Sequence, residues 1–206
     1  MLYVSRSGIE GKRLHKGTDS KVLTMGRHHC QWALDTFEAR SGMNYHKGRW
    51  NLTNVKPFKG VILIGPPGHG KTEFATHYLA LEINANPRTQ SQYLHAIDDK
   101  AEEHMAFVAR LFDPGDEAGR RNISIFPDNK KILKKKSNIF ELKLPERLKS
   151  PTITAAGVMS ARLGGDTNIQ VWDDIVPASD VDEPTTRERR SHRLGATFTT
   201  RQRGEN

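Results

Sequence analysis

One stretch constrains this chain more than any other: Gly60-Val61-Ile62-Leu63-Ile64, followed without interruption by Gly65-Pro66-Pro67-Gly68-His69-Gly70-Lys71-Thr72. The first part is a β-branched run bounded by glycine, which reads as a strand buried on both faces. The second is glycine, four residues, then Gly-Lys-Thr. After it, Lys71 to about Ala85 places Phe74, Tyr78 and Leu81 at helical spacing and stops before Pro87. Strand, glycine loop and helix in that order form a phosphate cradle. The glycines let the backbone turn so that its N–H groups face phosphate oxygens, Lys71 adds a charge near the β- and γ-phosphates, and the Thr72 hydroxyl suits magnesium. Gly65, Pro66, Pro67, Gly68, His69, Gly70, Lys71 and Thr72 are therefore the candidate binding residues for ATP, with Mg2+ as the accompanying ion.

The rest of the chain alternates strands and helices. A first helix is expected from about His28 to Ala39, with Trp32, Ala33, Leu34 and Phe37 as its apolar stripe and Arg40-Ser41-Gly42 as its stop. Tyr93–Ile97 reads as a strand, and Asp98-Asp99 can cap a helix whose inner face carries Ala101, Met105, Val108 and Phe112. Pro114-Gly115-Asp116 breaks the pattern. The stretch to about Ser150 is basic and irregular, apart from an alternating strand over Ile139–Leu144. Thr152–Ala156 and Asn168–Trp172 read as two further strands. The expected fold class is α/β: a P-loop NTPase of RecA/ASCE-like type, with a mostly parallel central sheet flanked by helices. Residues 1–50 are expected to form a basic arm and lead-in helix, and 51–206 the ATPase core.

A P-loop enzyme needs a second acidic site at the end of another core strand, where one carboxylate joins the magnesium shell and a neighbour orients the attacking water. Asp173-Asp174 follows the apolar strand ending at Trp172, about 100 residues after the glycine loop. Asp173 is assigned to metal and Asp174 to water activation. Phosphoryl transfer also calls for positive charge on the γ-phosphate, and Arg162 in Ser160-Ala161-Arg162-Leu163-Gly164-Gly165 is the candidate. Lys71, Asp174 and Arg162 are thus the catalytic set.

Composition bounds the partners. The 206 residues are 35% hydrophobic and 27% charged, with a formal net charge of +8, a balance that attracts polyanions and favours a nucleic acid. The lysines at 130, 131, 134, 135 and 136 either touch a phosphate backbone or form a solvated loop. No apolar run approaches the roughly 20 residues of a spanning helix, and residues 1–6 lack the apolar core of a signal peptide, so a cytoplasmic setting without membrane contact is expected. The one cysteine, Cys30, excludes an internal disulfide. His28-His29 beside it lacks a second cluster at ligand spacing, which argues against zinc.

The order of these motifs resembles the ATPase part of the large subunit of tailed-phage terminases, the DNA-packaging motors. The resemblance is carried by Pro66–Thr72, Asn86-Pro87 after a helix, Ala156-Gly157-Val158-Met159-Ser160-Ala161-Arg162-Leu163-Gly164-Gly165, Trp172-Asp173-Asp174-Ile175-Val176-Pro177, and the arginines from Arg187 to Arg203. It covers roughly residues 28–206 and implies ATP hydrolysis that drives double-stranded viral DNA into a capsid, in the cytoplasm of a host cell. It also implies a homo-oligomeric ring in which Arg162 reaches a neighbouring subunit's ATP, and partners equivalent to a portal protein and a small terminase subunit. Many members of that family carry Glu where Asp174 stands. The chain is expected to stop before the family's coupling motif and nuclease domain. Two other readings fit the same residues. One is a different P-loop DNA-dependent ATPase, such as a helicase, a helicase loader or a recombination-type ATPase; the other is a nucleotide-gated DNA-binding module that does not hydrolyse ATP.

Overall fold

The computed structural model describes residues 27–46, 49–52, 60–66, 68–127, 132–146, 148–161, 167–176 and 183–202. The expected basic arm over residues 1–26, Lys130-Lys131, Pro67 and Arg162 lie outside them. The chain divides into two units, Met1–Phe74 and Ala75–Asn206.

The first unit opens with helix α1 (Arg27–Ser41), ended by Gly42 at φ 65°, whose N–H bonds the Glu38 carbonyl at 3.1 Å. A left-handed glycine here is the usual way to satisfy a carbonyl left over by the last helical turn. The buried face of α1 is His29, Ala33 and Thr36, at i, i+4 and i+7, while Phe37, expected in the apolar stripe, is exposed. Strands β1 (Met43–His46) and β2 (Arg49–Leu52) then pair antiparallel as a hairpin. Residues 60–66 correct the sequence expectation: they form no strand, and Ile62 and Ile64 are 87% and 88% exposed. β-branched residues favour a pleated, half-buried surface, but that preference makes a strand only where a neighbouring strand completes the hydrogen bonding. Helix α2 (Lys71–Ala85) starts at the lysine of the glycine loop, within the predicted bounds.

The second unit is α/β. Its five-stranded sheet has the order β4-β5-β6-β3-β7, built from β3 (Ser91–His95), β4 (Ile132–Lys136), β5 (Ile139–Leu142), β6 (Ile153–Gly157) and β7 (Ile169–Trp172). β3 runs parallel to both β6 and β7, whereas β4 is antiparallel to β5 and β5 to β6. The sheet is therefore mixed, not mostly parallel as the alternation of elements suggested. The cause is local: two residues, Ser137 and Asn138, separate β4 from β5, and so short a connection permits only an antiparallel pair.

Strand β3 is buried along Ser91–Leu94 and feeds two cores, because neighbouring side chains on a strand point to opposite faces. On one face Tyr93 joins Leu79, Ile83, Ala101, Met105, Val108, Phe112 and Phe140. On the other, Leu94 meets Val158 and Ala161, with Leu194 packed against them. Met105 and Val108 come from α3 (Asp98–Arg110), Leu194 from α5 (Pro184–Gln202). Helices thus cover both faces. Between α3 and β4 lies α4 (Glu117–Ile125), which the sequence reading did not expect; Asp116 caps it by accepting from the Ala118 N–H at 2.9 Å.

Candidate functional site

In the first unit the glycine loop is curled against the start of α2. Gly68 and Gly70 both adopt left-handed conformations, φ 75° and 74°, which a side chain would resist. The Lys71 ammonium folds back over the loop, donating to the Gly65 carbonyl at 2.8 Å and to that of Pro66 at 3.1 Å. Helical bonding begins at once, with the Phe74 N–H on the Gly70 carbonyl at 2.9 Å. Helix α1 backs this loop. His29 Nε2 donates to the His69 carbonyl at 2.9 Å, and His28 Nε2 reaches the same oxygen at 3.3 Å. Trp32 lies edge-on to Phe74 with ring centroids 5.8 Å apart, and a Cβ added to Gly65 would stand 3.3 Å from the Trp32 ring. Lys71 is thus drawn against Gly65 and Pro66 at the entry to α2, and the His69 side chain is exposed.

In the second unit Asp173 and Asp174 extend the β3–β7 ladder beyond Trp172. The Asp173 N–H bonds the Leu94 carbonyl at 2.9 Å, and the Asp174 carbonyl accepts from the Ala96 N–H at 3.2 Å. Both acids therefore sit at the carboxyl ends of parallel strands, where open α/β sheets present their ligand-binding residues. Their environments differ. Asp173 is 8% exposed and accepts the Tyr93 hydroxyl at 2.8 Å. Asp174 is exposed and holds φ 42°, the one left-handed non-glycine among the described residues. A strained backbone of this kind persists only where its surroundings fix it.

A second polar group forms across the ends of β3 and β6. Asp98 does not cap its own helix, as the sequence suggested. Its Oδ1 instead accepts from the Gly157 N–H at 2.7 Å and from the Ser160 hydroxyl. The hydroxyl first, then the amide, hold the Asp98 carboxyl below its ordinary value. Arg193 of α5 donates to the Ala161 carbonyl at 2.7 Å, and the buried Arg190 places Nη1 3.4 Å from the Ala96 carbonyl. Ser160 and Ala161 directly precede Arg162, so the residue leading into the candidate arginine is fixed from two sides.

Tyr93, Asp98, Ser160, Arg190 and Arg193 were not among the candidate site residues named from the sequence. Tyr93 was legible only as a strand residue, and nothing local marks a partner 80 positions away. For the arginines of α5, the signal was present as a basic run but not as a set of backbone contacts. Among the described residues no cluster of three or more His, Cys, Asp or Glu could hold a metal by side chains alone, and no helix is long and apolar enough to cross a membrane. Compared with known proteins, the chain matches no family model and no curated protein.

Proposed function

We propose that the chain hydrolyses ATP, and that hydrolysis drives double-stranded viral DNA into a capsid, as in the large subunit of the terminases it resembles. The observation that carries this reading is the glycine loop with two left-handed glycines, curled onto the N-terminus of α2 and closed by the Lys71 ammonium on the Gly65 and Pro66 carbonyls. Such a loop binds anions twice over, through inward N–H groups and through the positive end of the helix dipole. The Lys71 ammonium already bridges two loop oxygens, and phosphate oxygens can take their place. The proposed family fold is a P-loop NTPase, with which helices on both faces of a sheet and an acidic pair at a parallel strand end agree.

The donor set suits a small hard cation. Thr72 and Asp173 are each proposed as a magnesium ligand because each offers an oxygen donor, the chemistry that magnesium prefers, with phosphate and water oxygens usually completing its shell. Magnesium bound with ATP would neutralise charge on the β- and γ-phosphoryl oxygens. Asp173, fixed by Tyr93, is the proposed metal-shell carboxylate. Asp174, exposed at the strand end, takes the proton of the water whose oxygen bonds to the γ-phosphorus as the bond to the β–γ bridging oxygen breaks. The proposed Arg162 would stabilise the γ-phosphoryl charge of a neighbouring subunit in a homo-oligomeric ring, with portal and small-subunit partners and a host-cytoplasmic setting following from the same resemblance.

The test is the ATPase rate of the full chain and of Lys71→Ala, with and without double-stranded DNA, over a range of protein concentrations. The expected result is a DNA-stimulated rate that rises per chain with concentration and falls roughly a hundredfold or more in the variant. A parent rate no greater than that of Lys71→Ala overturns hydrolysis. ATP binding without turnover would instead assign a nucleotide-gated binding module.

A further inference from the structure

We infer that His29 is a positioning residue for the phosphate cradle: it holds the His69 carbonyl on the α1 side and thereby turns the Gly70 N–H toward the bound phosphate. The inference rests on the nucleotide reading above and adds a residue outside the loop motif to it.

A carbonyl oxygen only accepts, so an imidazole nitrogen 2.9 Å from the His69 oxygen must carry its hydrogen. His28 Nε2, at 3.3 Å from the same oxygen, lies on the same side. The peptide joining His69 to Gly70 is planar, and trans like every peptide bond among the described residues. In such a unit the C=O and the following N–H point in opposite directions. With the carbonyl drawn toward α1, the Gly70 N–H points away from α1, and the inference is that the phosphate lies on that side. Gly70 at φ 74° can accept this orientation and still enter α2 one residue later.

The histidine cannot easily move. It is 9% exposed, its ring lies tilted against that of His28 with centroids 3.9 Å apart, and Trp32 meets it edge-on at 5.4 Å. Trp32 also contacts the His28 and Phe74 rings, at 5.1 and 5.8 Å. Helix α1 thus presents a rigid donor to one chosen peptide of the loop. His29 does not touch the anion; it acts through the 69–70 peptide, which a purely architectural brace would not require.

The experiment measures binding of inorganic pyrophosphate, and of ADP without magnesium, to the full chain. His28→Phe/His29→Phe keeps two aromatic rings and removes both donors. His29→Gln keeps a side-chain N–H at similar reach. The double phenylalanine variant is expected to bind pyrophosphate about tenfold more weakly, with His29→Gln within roughly threefold of the parent. Independently of any variant, the Gly70 amide resonance of the parent is expected to move downfield as pyrophosphate is added. Parent-like affinity in the double variant, a glutamine variant no better than the phenylalanine one, or an unmoved Gly70 resonance would each overturn the inference. Lys71→Ala separates the two levels. If it binds pyrophosphate as the parent does, the nucleotide reading itself fails. If it loses binding while the histidine variants keep theirs, only the role of His29 fails.

Discussion

Tyr93 donates its phenolic hydroxyl to the Asp173 carboxylate at 2.8 Å, and both groups are buried. The tyrosine ring belongs to the sheet's main hydrophobic core, so its hydroxyl is held by packing and not by chance contact. A carboxylate in such surroundings needs donors, because a buried charge with fewer hydrogen bonds is costly.

Tyr93→Phe is therefore expected to lower stability by about 1–2 kcal/mol in denaturant unfolding. Under the proposed reaction it also raises the magnesium concentration needed for half-maximal ATPase, because Asp173 loses a fixed orientation. A fall in stability with an unchanged magnesium requirement would reduce Tyr93 to a purely architectural residue.

Asp174 gives a second expectation, since its left-handed backbone disfavours a side chain and suits glycine. Asp174→Gly should unfold no more easily than the parent, and Asp174→Ala about 1 kcal/mol more easily, because alanine keeps the steric conflict and lacks the short polar side chain that tolerates it. Under the proposed reaction both should also abolish hydrolysis while leaving ATP binding intact. Equilibrium unfolding beside a turnover assay decides it: a glycine variant weaker than the alanine one would contradict the strain described at this position.

Asp98 makes stability depend on pH in a stated direction. Its folded-state carboxyl titrates below the ordinary value of 3.8 because the Ser160 hydroxyl and the Gly157 amide favour the ionised form. A depressed acid contributes stability that is fully present above the unfolded-state pKa and is lost as pH falls through the folded one. Asp98→Asn should thus melt below the parent near neutrality, and the difference should shrink as the pH drops under about 4. The side chain is exposed, so the effect is modest. A gap between the two melting temperatures that is constant from pH 7 to pH 3 would count against the assignment.

Legibility in the sequence followed the physics of each element. Helices α1, α2 and α3 announced themselves through glycine and proline stops or an apolar stripe; α1 and α2 have bounds close to the expected ones, while α3 ends at Arg110, before Phe112, which was expected on its inner face. Helix α4 was invisible because its buried residues are Gly119 and Asn122, which make no stripe; a Cβ at position 119 would stand 1.8 Å from the Asp113 carbonyl oxygen. Strand β4 was hidden by Lys134-Lys135-Lys136, a charged row on a sheet edge, where lysine discourages pairing with other chains. The run at 60–64 misled in the other direction, since its composition states a preference and not the presence of a partner strand. At the candidate site, local motifs located the glycine loop and the acidic pair. The links to His29, Tyr93 and Asp98 are long-range in sequence, and no spacing rule reaches them.

The closeness of Gly70 to His29 also restricts how this chain can vary. A methyl group at position 70 would stand 2.8 Å from His29 Nε2, on a backbone torsion that already excludes most residues. Easing the collision by shrinking position 29 would release the His69 carbonyl and leave the torsion unrelieved. Position 70 is consequently held to glycine twice over, by the ring of His29 and by its own torsion, and no single change at position 29 can free it.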